Sequence, residues 1–197
     1  MKRFIGGAIA LIMISLIWIT IGRLVAVTDA GVDGMRSGRA IIAYLLLFAA
    51  PTATFIPLRR WTRIPLYDLE GIAAWSTLGF ALIFLRPDSP PSMGQFLFFT
   101  LALTAALATV CTLASFLVGL RLYRHDARRY DVVRARRQGY LAASFVVALL
   151  IFHGIGTLTP TSGTLLLVLV VLAELFSLSR SNGKPANERV AGYRSRA

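Results

Sequence analysis

Six blocks of apolar residues, separated by short polar segments, constrain this chain more than any other feature of its sequence. A helix needs about 20 residues to cross the ~30 Å hydrocarbon core of a bilayer, and soluble cores rarely contain apolar blocks of this length. Only 15% of the 197 residues are charged, against about 25% in an average soluble domain. We therefore expect an all-α polytopic membrane protein, built as a bundle of six transmembrane helices.

The six predicted membrane helices form a single domain over residues 1–178. Their expected ranges are 4–27, 40–58, 71–85, 96–120, 140–158 and 164–178. The first block is longer than the h-region of a signal peptide and precedes no clean cleavage motif, so we expect a retained anchor. The third and sixth blocks are short, and they span only if flanking residues extend the helix or the bilayer thins. Residues 179–197 are polar and basic, which predicts a disordered tail.

The distribution of positive charge predicts the orientation. With the N-terminus in the cytoplasm, 17 of the 21 Lys and Arg residues fall in the inner segments and four fall in the outer ones. This split follows the positive-inside rule, so we expect both termini in the cytoplasm, an N-in/C-in topology. The arginine-rich inner surface favours the cell membrane of a bacterium, the inner membrane, where it meets anionic lipid. Aromatic residues at the predicted inner boundaries, among them Trp61, Tyr67 and Trp75, are interpreted as interface anchors.

The most basic inner segment is RLYRHDARRYDVVRARRQG, residues 121–139. An arginine near an anionic leaflet contributes about 1 kcal/mol of attraction, so we interpret this segment as a topology determinant that also binds anionic lipid. A docking surface for an acidic partner is the alternative. No nucleic acid partner is expected, because no soluble fold presents these arginines. The candidate contacts are Arg124, Arg128, Arg129, Arg134, Arg136 and Arg137.

Besides Arg23 near the outer end of the first block, two ionisable side chains fall inside the predicted helices, where charge is costly and often functional. Glu174 lies about four residues from the inner end of the sixth block, and His153 about five residues from the outer end of the fifth. At about 1.5 Å per residue they differ too much in depth for a direct pair. The structural interpretation pairs Glu174 with Arg136 or Arg137, and hydrogen-bonds His153 to a carbonyl or to Thr157.

Pro51 interrupts the second block, in AAPTATFIPL. Proline removes a backbone hydrogen bond and kinks a helix, and Thr52 and Thr54 are candidates to satisfy the freed carbonyls. Broken helices can mark transporter sites. Proline is also well tolerated in membrane helices, and we favour this structural interpretation.

Small residues at four-residue spacing mark two helix faces that can pack closely, Gly6 with Ala10 and Ala102 with Ala106. We expect these faces to pack within the chain. A homo-oligomer or a membrane protein partner is the alternative.

The sequence lacks the residue combinations of the common membrane enzymes. Cys111 is the single cysteine, and only one histidine lies inside a predicted helix. The stretch Pro160–Gly163 lacks the first glycine of the rhomboid serine motif, and His153 precedes Ser162 instead of following it. We therefore expect a non-enzymatic protein with no catalytic residue, no metal and no cofactor.

Two resemblances bear on function. In size, helix number and the small residues of its first helix, the chain resembles the substrate-binding subunits of energy-coupling-factor transporters, which implies a small-molecule transport subunit. Residues 134–176 resemble uncharacterised small six-helix bacterial membrane proteins, a resemblance that implies no activity. Our first hypothesis is an accessory or scaffold subunit of a membrane complex, and the transport subunit is the alternative. A polar cavity near mid-membrane would favour transport, and a packed apolar interior would favour the subunit.

Overall fold

The computed structural model describes residues 2–27, 38–84, 92–122 and 131–182 of the chain. Over these ranges the protein is all-α, with six helices and no strand. The helices are α1 (Lys2–Val27), α2 (Gly38–Thr62), α3 (Tyr67–Phe84), α4 (Met93–Leu122), α5 (Val132–Gly154) and α6 (Pro160–Asn182). The predicted all-α membrane fold with six helices is confirmed.

Four of the described helices are long and apolar enough to cross a membrane: α2, α4, α5 and the Pro160–Ser177 part of α6. The described side chains of α1 add a shorter apolar segment, Ile12–Leu24. Helix α3 has 18 residues and carries Asp68 and Glu70 in its first turn. The crossing of the membrane by α1 and α3 therefore stays a prediction.

All six helices begin before their predicted starts, and at α4, α5 and α6 a polar side chain caps the earlier start. Ser92 and Gln95 form a reciprocal capping box that starts α4 at Met93 instead of 96. The Asp131 carboxylate accepts a hydrogen bond from the Arg134 amide at 3.0 Å and starts α5 at Val132 instead of 140.

The start of α6 follows the same rule. Thr159 and Ser162 each accept the other's backbone N–H, at 3.2 and 2.9 Å. Pro160 occupies the first helical position, where its missing N–H costs nothing. Helix α6 therefore begins four residues before the predicted 164, and it continues to Asn182, so the first four residues of the predicted tail are helical.

Helix α5 ends at Gly154, before the predicted 158, because Gly156 closes it. Gly156 has φ of 75°, and its N–H donates to the His153 carbonyl at 3.0 Å. The Thr157 N–H donates to the Phe152 carbonyl at 2.9 Å. This pair of bonds is the Schellman arrangement that terminates helices at a left-handed glycine.

The chain divides into two compact units, Met1–Tyr140 and Leu141–Ala197. In the first unit α3 packs against α2 and α4, and α1 packs against α2. Ala102 and Ala106 are buried against Ala74 and Leu78 of α3, so this small-residue face packs within the chain, as expected. Gly71 permits the close approach of α2, since a Cβ there would overlap the Phe55 ring.

The second unit contains the later part of α5 and all of α6. Leu149 of α5 lies 3.9 Å from the position that a Cβ on Gly163 of α6 would take, which is ordinary van der Waals contact. None of the 18 residues in the apolar stretch of α6 is buried. Its exposed side chains are large, including Leu165, Leu169 and Phe176.

Candidate functional site

The ends of three helices meet in a cluster of four charged residues, Arg59, Asp68, Glu70 and Arg136, which we name the charged corner. Arg59 of α2 donates to Asp68 of α3 at 2.6 Å. Arg136 of α5 pairs with Glu70 of α3 at 3.0 Å. Asp68 and Glu70 lie in the first turn of α3, where their negative charges interact favourably with the positive end of the helix dipole.

The turn between α2 and α3 completes the charged corner. Residues 59–70, between the second and third predicted helices, are mostly helical, and only residues 63–66 connect α2 with α3. Arg63 and Leu66 take positive φ values of 58° and 61°, an uncommon conformation for side chains of this size. The Arg136 guanidinium donates to the Pro65 carbonyl at 2.6 Å, so α5 holds this turn in place.

Within the charged corner, the pKa of Asp68 is shifted by the neighbouring groups. The hydrogen bond from Arg59 holds the pKa of the Asp68 carboxyl below its ordinary value. A depressed pKa means that folding favours the carboxylate, so the pair stabilises the fold above the usual aspartate range and loses that effect as the pH falls.

Of the six arginines predicted to contact anionic lipid or a partner, three are described. Arg134, Arg136 and Arg137 lie half-buried on the first two turns of α5. Arg136 uses its guanidinium on Glu70 and the Pro65 carbonyl, a role in holding helices together that sequence reasoning missed. Arg124, Arg128 and Arg129 lie outside the described residues. Lipid contact stays a prediction for all six.

The carbonyl that Pro51 leaves without a donor is satisfied by a side chain from another helix. Without an N–H at Pro51, the Leu47 carbonyl lacks its partner within the helix. The hydroxyl of Ser76, buried on α3, donates to that carbonyl at 2.9 Å. Thr52 and Thr54 instead donate to the carbonyls of Phe48 and Ala50, at 2.6 and 2.8 Å, so the prediction for them is wrong.

A second group, which we name the aromatic group, consists of Trp18, Tyr67, Trp75 and Thr109. It joins α3 to α4 by hydrogen bonds and α1 to α3 by a ring contact. The Tyr67 hydroxyl donates to the Thr109 carbonyl at 2.8 Å. The Trp75 indole donates to the Thr109 hydroxyl at 3.1 Å. Its ring packs edge-on against Trp18, with ring centroids 5.1 Å apart.

These contacts correct the interpretation of two interface anchors. Tyr67 is buried and Trp75 partly buried among the helices, because tertiary packing accommodates their rings. Burial, reinforced by the Glu70 charge, raises the pKa of Tyr67 to about 12, so its hydroxyl stays a hydrogen-bond donor. Trp61, the third predicted anchor, is 68% exposed.

Two cavities flank α3. One, of 330 Å³, is bounded by the aromatic group and by α2 and α4; its lining includes Trp18, Phe55, Leu58, Tyr67, Trp75 and Val110. The other, of 360 Å³, lies between α3 and α4. Its lining combines four alanines, Phe98 and Leu101 with the polar residues Glu70, Thr77, Thr109 and Tyr140. Both are predominantly apolar, so neither is the polar cavity that the transport hypothesis predicts.

The two candidate intramembrane groups lie in the second unit. His153 is exposed in the last turn of α5 and not five residues inside the helix, because Gly156 ends α5 early. Thr157 donates its hydroxyl and amide hydrogens to the Phe152 carbonyl. The hydrogen bond of His153 to a carbonyl or to Thr157 stays a prediction. Glu174 is half-buried on α6. Its pairing with Arg136 or Arg137 stays a prediction.

No family model, curated protein or solved structure matches this chain. Across the described ranges, no three His, Cys, Asp or Glu side chains group as a candidate metal site.

Proposed function

We propose that the protein is a multi-pass cell-membrane protein that acts by assembly, as a non-enzymatic accessory or scaffold subunit of a membrane complex. One observation carries this proposal. The apolar stretch of α6 has no buried residue, whereas 33% of the corresponding stretch of α4 is buried. Helix α6 therefore offers its large side chains to a partner helix within the bilayer.

The chemistry of α6 supports contact with a partner inside the membrane. Its exposed Leu, Val and Phe side chains can pack against another helix, and packing is a main source of helix association in lipid.

The charged corner supports the proposed orientation. The charged corner joins the C-terminal end of α2 to the N-terminal ends of α3 and α5, so these three helix ends lie on the same side of the membrane. Arg60, in the last turn of α2, adds a positive charge to this side. We assign this side to the cytoplasm, since positive charge concentrates there. Both termini are then cytoplasmic, and the partners at this surface are anionic lipids. A bacterial inner membrane fits this placement.

A co-purification experiment with matched variants tests the proposal. Leu165 and Leu169 of α6 are 66% and 67% exposed, and Leu45 of α2 and Leu101 of α4 are 66% and 69% exposed. The tagged protein is purified in gentle detergent and its stoichiometric partner is identified by mass spectrometry. The double variant Leu165→Ala with Leu169→Ala should lose the partner, and Leu45→Ala with Leu101→Ala should keep it. Equal retention by both, or purification of the wild type without a partner, contradicts the proposal.

A further inference from the structure

We infer that the cavity bounded by Trp18, Phe55, Tyr67 and Trp75 is a binding site for one acyl chain of a membrane phospholipid. This inference is independent of the proposed function. The cavity measures 330 Å³, within the range of about 300–1,000 Å³ that small-molecule sites occupy. One water molecule takes about 30 Å³ of the liquid. If a methylene group takes a similar volume, the cavity has room for roughly ten of them.

The hydrogen-bond donors of the lining side chains are already used, which favours an occupant without hydrogen-bonding groups. The Trp18 indole donates to the Thr54 hydroxyl at 3.0 Å, and that hydroxyl donates to the Ala50 carbonyl. The donors of Tyr67 and Trp75 are both directed to Thr109. A ligand in the cavity therefore meets ring surfaces and aliphatic side chains, and recognition rests on shape and dispersion.

Water is a poor occupant of such a cavity. Buried water requires two to four polar partners, and large apolar cavities stay dry and take up apolar molecules. An empty cavity also forfeits the dispersion contacts of its walls. A hydrocarbon chain restores those contacts and needs no hydrogen bond.

The position of the cavity favours an acyl chain over other apolar molecules. Its lining comes from α1, α2, α3 and α4, and both α2 and α4 are long and apolar enough to span a membrane. Val110 of α4 belongs to the lining and is 48% exposed, which places it at the opening of the cavity. Acyl chains surround such helices at far higher concentration than any other apolar molecule.

Tryptophan fluorescence provides the test, because two of the three tryptophans line the cavity and the third, Trp61, is exposed. The full-length Trp61→Phe variant retains only the two cavity indoles. It is purified in detergent and titrated with a phospholipid brominated in one acyl chain, since bromine quenches indole fluorescence on contact. We expect quenching that saturates at one lipid per chain and is reversed by the unbrominated phospholipid.

A matched pair of variants on the Trp61→Phe background locates the site. Val110→Phe narrows the opening and should weaken the saturable quenching by about tenfold or more. Val118→Phe makes the same change on the same helix at a residue that is 57% exposed and outside the lining, and it should leave the titration unchanged.

Three results would overturn the inference. They are quenching that rises without saturation, saturable quenching that unbrominated phospholipid does not reverse, and equal titrations for the two valine variants. The first two are measured without altering the cavity, so the test holds even where Val110→Phe fails to fold. Reversal by a small aromatic hydrocarbon but not by phospholipid would assign the cavity to a different ligand.

Discussion

Helices α4 and α6 are both apolar enough to cross a membrane, with mean hydropathies of 2.2 and 1.8 over their best stretches, yet 33% of the first stretch is buried and none of the second. Their compositions explain the difference. The buried face of α4 is built mainly from small residues; its members are Ala102, Ala106, Ala108, Thr109, Thr112, Phe116 and Gly119. The middle of α6 reads LLLVLVVL. Apolarity places a helix in the bilayer, and small residues allow another helix to approach it.

A phenylalanine pair gives the largest expected contrast between the two helices. Phe116 of α4 is 3% exposed, and Phe176 of α6 is 70% exposed. Phe116→Ala should lower the free energy of unfolding by about 3–5 kcal/mol, because it leaves a cavity in the core. Phe176→Ala should change it by less than about 0.5 kcal/mol. Denaturant unfolding of the purified protein measures both. Similar losses for the two variants would show that α6 is packed in the isolated chain.

A glycine pair tests the close approach of helices. A Cβ on Gly139 of α5 would lie 2.6 Å from the backbone N and Cα of Thr112 on α4, whereas a Cβ on Gly163 of α6 meets only Leu149 at 3.9 Å. Gly139→Ala should cost about 1–3 kcal/mol of stability, because backbone must move. Gly163→Ala should be neutral or stabilising by up to about 1 kcal/mol, since alanine is the better helix former. Thermal unfolding in detergent separates the two outcomes, and a stable Gly139→Ala protein would contradict the packing of α4 on α5.

The bond between Ser76 and the Leu47 carbonyl predicts a coupling with Pro51. Ser76→Ala should lower stability by about 1–3 kcal/mol, because it leaves a buried carbonyl without a donor. In the Pro51→Ala background the helix supplies the missing N–H, so Ser76→Ala should cost less there. A double-mutant cycle measures the difference. Equal costs in both backgrounds would mean that the serine has a different role.

The smallest expected effect is the pH dependence of the Arg59–Asp68 pair. Because the pKa of Asp68 is lowered in the folded protein, the pair stabilises the fold above the unfolded aspartate pKa of about 3.9. The stabilisation is lost as the pH falls through the lower, folded pKa. Arg59→Gln should reduce this part of the pH dependence. Unfolding curves between neutral and acidic pH compare it with Arg60→Gln, which alters a neighbouring exposed arginine and should retain the dependence.

The helices were predictable from the sequence because apolar blocks dictate them, but several of their ends were not. The starts at Met93, Val132 and Pro160 follow capping residues that lie outside the apolar blocks. The S-x-x-Q pattern before α4 and the glycine after α5 are local signals of helix ends. They depend on capping and not on hydropathy, so apolar blocks do not indicate them.

The candidate site was less predictable, because its partners are distant in sequence. Arg136 meets Glu70, and Ser76 meets the Leu47 carbonyl, only after the helices pack. One signal was local: Tyr67, Gly71 and Trp75 recur at four-residue spacing, which places them on one face of α3. Two aromatic residues separated by a glycine on one helix face favour packing over an interface position.

Photo-crosslinking in the native membrane tests most directly whether α6 binds a partner. A photoreactive residue replaces Leu165 of α6 or Leu45 of α2, two side chains that are each 66% exposed and lie near the starts of their helices. We predict a discrete protein adduct from position 165, to a second copy or to another membrane protein, and only lipid adducts from position 45. Lipid adducts alone from both positions would contradict the account, because α6 would then face the bilayer without a partner.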